Sequence, residues 1–429
     1  MGKSTSTSTL LGGYRVLDLS EHGSLLCGKV LGDLGADVIK IEPLGGSPTR
    51  NMGPFYHDIP DPEKSLFWFA LNTSKRGITL NIENTDGKEL FIRLVRTADI
   101  IVESYPPGYM KRLGLSYPDL CGVKSDIIMT SITPFGQTGP FSHYKGSDIV
   151  GWAMGGIMNL SGDSDRPPVQ QSHPQSYYHA GVQGAVGTMV ALYHREMTGE
   201  GQHVDVSMQQ AVVLTLMYAA EYGDLLGITL PRPRPDGASI SPRGEPHGPL
   251  VGQRRWECKD GYITWLHLVS GGSQPGMVRS TKELVKWMEE DGMAGDLPQY
   301  DWSQFDTATI PQELVDQQKE FFKKFFLTKT KRELMDRAAS KGILIGAFQT
   351  TKDIVECPHL EAREFFTEVD HPELGDTIAY PGAWAKTSEA PWKISRRAPL
   401  IGEHNKEIYE KELGISKDQL ANLKDIGVI

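Results

Sequence analysis

The residues best placed for chemistry lie where a polar loop leads into a helix punctuated by glycines. In PVQQSHPQSYYHAGVQGAVGTMVALYHREMTGEGQHVDVSM, residues 168–208, the start of the predicted helix presents Tyr177, Tyr178 and His179. Side chains of these types at a helix start can polarise a carbonyl group, or they can simply fill the space beside the helix. The helix start has no carboxylate or thiol. It is therefore a place suited to a reactive group, but it has no obvious nucleophile.

Tyrosine is a poor nucleophile at neutral pH, because a phenol with a reference pKa of about 10 is almost wholly protonated. The nearest carboxylates of the loop, Asp163 and Asp165, lie further upstream in SGDSDRPP, a composition typical of an exposed turn. We therefore expect neither aspartate to act at the helix start.

The elements that would position this helix alternate between strand and helix in the first half of the chain. YRVLDLS, DVIKIEP, GITLNI and DIIVESY are typical of strands, whereas LCGKVLGDLGA and TDGKELFIRLVRTA have helical spacing, the latter from near Thr85 or Asp86. This β-α-β order with short connections predicts an α/β fold with a parallel sheet and helices on both faces.

Four loops are expected together at one edge of that sheet, where parallel strands end. They are LSEHGS, EPLGGSPTR, ESYPPGYMKRLG and TPFGQTGPF. Ligands of such sheets bind in a crevice beyond this edge. None of the loops is a G-x-G-x-x-G fingerprint or a Walker loop, and the pair Gly45-Gly46 alone is ordinary turn chemistry. The loops therefore predict where a ligand binds without identifying it.

Composition and charge narrow the class of protein. A chain of 429 residues predicts two domains or one long elaborated domain. The net charge of -10 argues against binding to nucleic acid. Four cysteines without C-x-x-C spacing indicate neither a metal site nor a disulfide framework. No apolar run is typical of a signal peptide or a membrane span, so we expect a cytoplasmic protein without a membrane partner.

A change of pattern after the first half predicts a second domain. PRPRPDGASISPRGEPHGPLVGQ breaks regular structure, and RRWECKDGYITWLHL is typical of a hairpin that turns at Lys259-Asp260-Gly261. Helical patterns follow, and the tail predicts strands and a final helix. We predict a smaller domain over residues 225–330, and a large domain formed by residues 1–224 and 331–429.

The chain resembles the family III CoA-transferases nearly end to end. The resemblance rests on phrases that occur in order, RVLDLS, LGDLGADVIKIEPLGGSPTR, SKRGITLNI, ADIIVESYPPGYMKRLGLSYPDL, FGQTGPF, ALYHREMTGEGQHVDVSM, ILIGAFQTTKDIVECPHLEAREFF and RRAPLIGEHNKEIYEKELG. It implies a Rossmann-like large domain built from both chain ends, a smaller α+β domain and an interlocked dimer. It also implies activity on a coenzyme A thioester as substrate, with no permanently bound cofactor.

The chemistry of that family requires an aspartate, whose carboxylate attacks the thioester to give a mixed anhydride. This aspartate precedes the glycine-punctuated helix in a pattern similar to Gly/Ala-Asp-x-x-x-Gly. Here Gly181 takes the glycine position, and the residue four before it is Tyr177. The resemblance therefore implies that Tyr177 stands at the nucleophile position and that this chain has no catalytic residue there.

Two further departures from the family pattern bear on activity. Transferases of the family often cover the acyl intermediate with a mobile glycine run, whereas GEPHGPLVGQ keeps Gly248 and Gly252 and is stiffened by Pro249. Related acyl-CoA racemases use a histidine in the loop after FGQTGP, where this chain has Ser147. Racemisation is therefore disfavoured, and we expect the nearby His143 to be a solvent-exposed bystander.

Residues that bind CoA in the family can be carried over only where positions match. Arginine and lysine suit the phosphates of CoA, although surface charges on an acidic protein give the same pattern. The matching positions are His22, Gly23, Ser104, Tyr105, Arg112 and Lys145, with Lys75 and Arg76 as further candidates for the adenosine phosphate end.

Three hypotheses about function remain open. In the first, the chain is the non-catalytic subunit of a hetero-oligomeric CoA-transferase and pairs with a homologous subunit that has the aspartate. In the second, it is a stand-alone acyl-CoA enzyme that uses Tyr177, Tyr178 or His179. In the third, it binds acyl-CoA without turnover. A partner with aspartate at the Tyr177 position would favour the first.

Overall fold

A computed structural model describes residues 9–236, 238–241, 250–265, 275–305 and 309–429. The strands of these residues are β1 (Arg15–Leu19), β2 (Asp37–Glu42), β3 (Lys75–Thr79), β4 (Ile100–Glu103), β5 (Ile128–Thr133), β6 (His203–Ser207), β7 (Ala238–Ser241), β8 (Leu250–Gln253), β9 (Arg255–Cys258), β10 (Gly261–Trp265), β11 (Ile345–Ala347), β12 (Phe366–His371) and β13 (Asp376–Pro381).

The α-helices of the same residues are α1 (Leu25–Asp33), α2 (Leu66–Leu71), α3 (Thr85–Val95), α4 (Tyr109–Arg112), α5 (Tyr117–Cys121), α6 (Asp148–Met154), α7 (Ser176–Thr198), α8 (Met208–Leu216), α9 (Tyr218–Leu226), α10 (Pro275–Glu290), α11 (Gln312–Phe326), α12 (Lys331–Lys341), α13 (Thr351–Val355), α14 (Pro358–Ala362) and α15 (Lys417–Asp425). Tighter 3-10 turns include His22–Ser24 and Pro48–Asn51, and Lys406–Glu412 forms a π-helix. None of the helices in the described ranges is long and apolar enough to cross a membrane.

Six strands form one parallel sheet in the order β3-β2-β1-β4-β5-β6. The predicted α/β class and parallel sheet are therefore confirmed. This order is that of a doubly wound Rossmann sheet, and its direction of growth reverses between β1 and β4. Loops that leave these two strands diverge to opposite sides, which opens a crevice at the carboxyl edge.

Alternation along the strands places one apolar core on each face of the sheet. Leu17 and Ile39 face a core completed by α3 and by Tyr409 near the chain end, whereas Val16 and Val38 face a core completed by α1 and α7. The last part of the chain therefore covers a sheet whose strands all come from the first half. Helix α3 begins at Thr85, as predicted, because the Asn84 side chain caps the amide of Asp86.

The chain divides into two compact units. One holds the described residues up to Ile157 with Gln171–Met217 and Pro358–Ile429, and the other holds Met158–Gln170 and the described part of Tyr218–Cys357. The predicted domain bounds, 225–330 for the smaller domain, stay a prediction, as does the interlocked dimer.

The second unit contains the predicted hairpin. Strands β9 and β10 pair antiparallel, with Cys258 opposite Gly261, and β11 pairs with β10. Trp256 and Trp265 pack beneath them against aromatic side chains of α11. In the predicted loop, Gly252 lies in β8, whereas Gly248 and Pro249 lie outside the described residues.

Candidate functional site

A cavity of about 520 Å³ lies at the carboxyl edge of the sheet, within the first unit. It opens beyond β1, β4 and β5 and against the start of α7, which is the crevice that the strand order predicts. Its lining residues are Glu21, His22, Ser24, Ser104, Pro106, Pro107, Ile132, Thr133, Pro134, Ser142, His143, Tyr144, Lys145, Gly146, Tyr177, Ala180 and Met208. Four sequence-predicted positions, His22, Ser104, Lys145 and Tyr177, therefore meet in one cavity.

Tyr177 is the second residue of α7, and its ring forms one wall of the cavity. The ring stacks on His22, with 5.7 Å between the ring centroids and an interplanar angle of 11°. Gly23 makes this approach possible, because a Cβ at that position would lie 2.1 Å from the Tyr177 Cβ. Gly23, a predicted CoA contact, thus accommodates Tyr177.

A buried carboxylate that sequence reasoning missed holds the first turn of α7. Asp148 Oδ1 accepts hydrogen bonds from the Ser176 hydroxyl at 2.7 Å and from the Tyr177 amide at 3.2 Å. A negative charge is favoured at a helix N-terminus. Asp148 is the first residue of α6 and directly follows Ser147, which stands where the related racemases have a histidine. This place in the sequence was the signal that could have identified Asp148.

The phenols at the start of α7 are held in the neutral form. Burial raises the pKa of Tyr177, and the negative charge of Asp148 raises it further. The same two causes, in the same order, raise the pKa of Tyr178. A tyrosinate nucleophile is therefore disfavoured at neutral pH, and Tyr177 can at most donate a hydrogen bond into the cavity.

Glu21 is a carboxylate of the cavity wall that the sequence-based residue set omitted. Its Oε2 accepts hydrogen bonds from the Ser47 hydroxyl and, at 3.0 Å, from the Thr49 hydroxyl. Its Oε1 lies 3.7 Å from the ammonium nitrogen of Lys40, and its amide donates to Ser104 Oγ at 2.8 Å. Its position in LSEHGS, at the end of a predicted strand, was the available signal.

Cationic and aromatic side chains line the side of the cavity formed by the loop after β5. Lys145 is exposed and suited to bind an anion. His143 is also exposed, as expected, and it contacts the ring of Tyr144 edge-on, with ring centroids 4.8 Å apart. His143 nevertheless lines the cavity, so it lies beside any ligand there.

Two of the predicted CoA contacts are enclosed by other partners. Lys75 is fully buried and donates to Asp18 Oδ2 at 2.8 Å, to the Leu25 carbonyl and to Asn72 Oδ1. Arg76 is 8% exposed and is paired with the carboxylates of Asp37, Glu407 and Glu412. The structure does not bring either cation to the cavity.

Tyr105 and Arg112 are not among the cavity-lining residues: Tyr105 lies between Ser104 and Pro106 of the lining, and Arg112 is the last residue of α4. Tyr105 stacks on Tyr109 with 4.4 Å between ring centroids, and the Arg112 guanidinium lies 4.9 Å from the centroid of the Tyr109 ring. The Arg112 side chain is 68% exposed and its nearest carboxylate oxygen, on Glu83, is 3.8 Å away. Arg112 is therefore free to turn toward a ligand phosphate.

Within the described residues, no group of three or more histidine, cysteine, aspartate or glutamate side chains is placed to hold a metal ion. The polar side chains that line the cavity are hydroxyl groups, one lysine, two histidines and one carboxylate. Such a set suits a ligand that combines anionic groups with an apolar portion.

The sheet and the cavity define an α/β protein that binds its ligand at the switch point of a Rossmann-type sheet. Comparison with known proteins identifies the family. The model of CoA-transferase family III matches residues 11–405, so the chain belongs to this family. The resemblance found in the sequence is confirmed at that level.

Three relatives show how far the similarity extends. The chain is 33% identical to succinyl-CoA:(R)-benzylsuccinate CoA-transferase subunit BbsE of Thauera aromatica, over 97% of each chain. It is 32% identical to a formyl-CoA:oxalate CoA-transferase of Streptomyces coelicolor, over 99% of this chain and 100% of that one. A crystal structure of a CAIB/BAIF family protein from Brucella suis superposes with a TM-score of 0.77 at 26% identity, covering 94% of this chain and 99% of that one.

Proposed function

We propose that this chain is the nucleophile-lacking subunit of a hetero-oligomeric family III CoA-transferase. Its partner is a homologous subunit that carries the catalytic aspartate. The complex moves CoA between succinyl-CoA and a carboxylic acid such as (R)-benzylsuccinate, the acid in the name of one relative. The observation that carries the proposal is Tyr177, a half-buried neutral phenol at the helix position where the family pattern has aspartate.

The contacts of Tyr177 support a lost nucleophile. Asp148 already supplies the negative charge at the N-terminus of α7, and the Tyr177 ring is packed against His22. The role of the chain would then be to bind CoA and to complete the assembly. That one relative is named as a subunit is consistent with this role.

An apolar stripe along α7 supports a second subunit as the neighbour of this helix. Val182, Val186, Val190, Tyr193 and Met197 recur at helical spacing, and their exposed fractions rise from 42% to 70% along the helix. A contiguous apolar stripe of this kind is typical of a protein interface rather than of a solvated surface. We define these five residues as the α7 stripe.

Val190→Glu is expected to weaken assembly of the complex at least about 100-fold without unfolding the chain, because it buries an unpaired charge only when the partner docks. Analytical ultracentrifugation of the mixed subunits, titrated over concentration, measures the change. Ala421→Glu adds the same charge at an exposed position of α15 and is the matched control. Equal assembly of both variants would contradict an interface at the α7 stripe.

The test of the proposed function is a succinyl-CoA-dependent transfer assay on three preparations, the chain alone, the partner alone and the co-purified complex. Transfer that requires a partner with aspartate at the Tyr177 position supports the proposal. Turnover by this chain alone contradicts it. Binding of CoA without transfer in any preparation would favour an acyl-CoA-binding protein.

Glu21 is the observation that favours a second candidate, a stand-alone acyl-CoA enzyme. It places a carboxylate in the cavity wall, where a carboxylate could attack a thioester. Two hydroxyl groups already donate to Oε2 of Glu21, and the Lys40 ammonium lies near Oε1, so the carboxylate is engaged within the chain, which is why we rank this candidate second.

Glu21→Gln separates the two candidates. If the chain lacks a nucleophile, this change should alter kcat of the complex less than about tenfold, because the hydrogen bonds to Ser47 and Thr49 can be kept by the amide oxygen. Loss of all measurable turnover, on the order of 10⁴-fold or more, would identify Glu21 as the nucleophile. Steady-state kinetics of the complex, with circular dichroism as a folding control, gives the result.

A further inference from the structure

The wall of the cavity between β4 and α4 is held by a buried carboxyl group. Residues 104–107 follow β4 directly and supply Ser104, Pro106 and Pro107 to the cavity lining. Glu103, the last residue of β4, is 3% exposed, and its Oε2 accepts a hydrogen bond from the Tyr105 amide at 2.7 Å. The side chain thus closes a tight turn at the base of the wall.

The same turn is tied to the opposite side of the cavity. Ser104 Oγ accepts a hydrogen bond from the Glu21 amide at 2.8 Å, which joins the loop after β4 to the loop after β1. These are the two loops on either side of the switch point, so a shift of the turn moves both walls. Within the described residues, Glu103 is the side chain that accepts from the Tyr105 amide.

We propose that Glu103 is a positioning residue for the CoA cavity, which sets the place of residues 104–107 through the Tyr105 amide. Glu103 is not among the residues that line the cavity, so it would act on a ligand through the residues of the wall. The inference rests on the proposed function in one respect, that CoA is the ligand of the cavity.

A second cleft, of about 330 Å³, lies on the other side of this wall and shares Pro106 with the cavity. Glu103, Ser131 and His203 line it, and Ser131 Oγ lies 2.8 Å from His203 Nε2. The cleft therefore places polar groups at the base of the wall.

Burial raises the pKa of Glu103 to about 7, against hydrogen bonds with Ser131 and Tyr105 that lower it, and the charge of Asp205 raises it further. The other titratable groups that line the cleft are Lys111 on α4, Tyr117 on α5 and His203 on β6, and burial lowers the pKa of His203. The closed wall therefore favours neutral Glu103. An opened wall exposes the group to water, where its pKa returns toward 4.5.

Opening of the wall becomes more favourable as pH rises, because Glu103 has a higher pKa in the closed wall than in the opened wall. A raised pKa in the closed state stabilises that state at low pH, and the stabilisation is lost as pH rises through the pKa of the closed state. Between pH 6 and pH 8, opening of the wall should become roughly tenfold more favourable in the wild type. Glu103→Gln cannot titrate, and its amide oxygen still accepts from Tyr105.

Hydrogen exchange tests the proposal without CoA. Exchange of the Tyr105 amide is measured by mass spectrometry or NMR for the wild type and Glu103→Gln at pH 6, 7 and 8, and the ratio of the two rates cancels intrinsic exchange. We expect the ratio of wild type to variant to rise roughly tenfold over this range. A ratio that stays constant overturns the proposal.

Calorimetric titration with CoA at pH 6 provides the second measurement. Glu103→Gln should bind within about twofold of the wild type, whereas Glu103→Ala removes the acceptor and should bind about tenfold more weakly. If Glu103→Ala folds and binds as the wild type does, the positioning role is wrong. If none of the three proteins binds CoA, the proposed ligand is wrong, and the exchange ratio alone decides the role of Glu103.

Discussion

Tyr177→Asp is expected to give this chain CoA-transfer activity of its own, on the order of 100-fold above the background of the wild-type chain. The carboxylate would enter the cavity beside His22 and Ala180, at the position that we propose to correspond to the family's nucleophilic aspartate. The gain is partial, because the Asp148 charge next to the same helix end disfavours a second ionised carboxylate. Single-turnover assays with succinyl-CoA, followed by mass spectrometry for an anhydride trapped with hydroxylamine, measure it.

Two matched variants complete this experiment. Tyr177→Asn has nearly the shape of the aspartate without a nucleophile, so it should stay at background. Tyr177→Phe keeps the ring against His22 and should leave the activity of the complex within about twofold, because the phenol contributes at most one hydrogen bond. A loss of more than about tenfold in Tyr177→Phe, with the complex intact, would instead assign chemistry to the hydroxyl.

The stability of Tyr177→Asp is part of the expected result. Removing the ring leaves space beside His22 and Gly23, where the Tyr177 Cβ is now closely packed. Asp148 can still accept hydrogen bonds from the Ser176 hydroxyl and from the backbone amide of residue 177, so the helix start should persist. We expect a thermal midpoint within roughly 5 °C of the wild type, since a partly buried site tolerates the change. A variant that fails to fold would leave Tyr177→Asn and Tyr177→Phe to test the site.

The sequence predicted the fold and the edge of the sheet where the site lies, because both follow from local patterns. Apolar runs such as YRVLDLS and DIIVESY mark buried strands, and the loops after them must meet at one edge when the strands are parallel. Ser104 and Lys145, which the family resemblance named in separate loops, line the same cavity. Periodicity was sufficient for the fold class and the edge of the sheet, whereas these two residues came from the resemblance.

What the sequence left undetermined depends on which side chains are buried and what they contact. Lys75 and Arg76 were attractive because they are cationic, but a one-dimensional pattern does not show that one is enclosed by Asp18 and the other by three carboxylates. Glu21 lies in the quoted loop LSEHGS, and Asp148 directly follows Ser147. Nothing in their spacing indicates that one faces the cavity and the other the amides of α7.

Lys75→Met is expected to destabilise the chain severely, by about 3–5 kcal/mol, because it leaves the carboxylate of Asp18 buried without its counter-charge. Both side chains are fully buried, and the Lys75 ammonium also donates hydrogen bonds to the Leu25 carbonyl and to Asn72 Oδ1. A drop of roughly 3–6 °C in the midpoint of thermal unfolding should result for a chain of this length. Differential scanning calorimetry of the purified chain measures it.

The double variant Asp18→Asn/Lys75→Met decides whether the pair is structural. Removing both charges should recover at least half of the loss, since the cost of the single variant lies mainly in one unpaired buried charge. Arg112→Met is the control for a cation outside the core, and its effect on stability should be within about 0.5 kcal/mol. It should instead weaken CoA binding, because the exposed guanidinium is free to contact a phosphate. The opposite pattern, in which Lys75→Met keeps its stability and loses CoA binding, would assign Lys75 to the ligand.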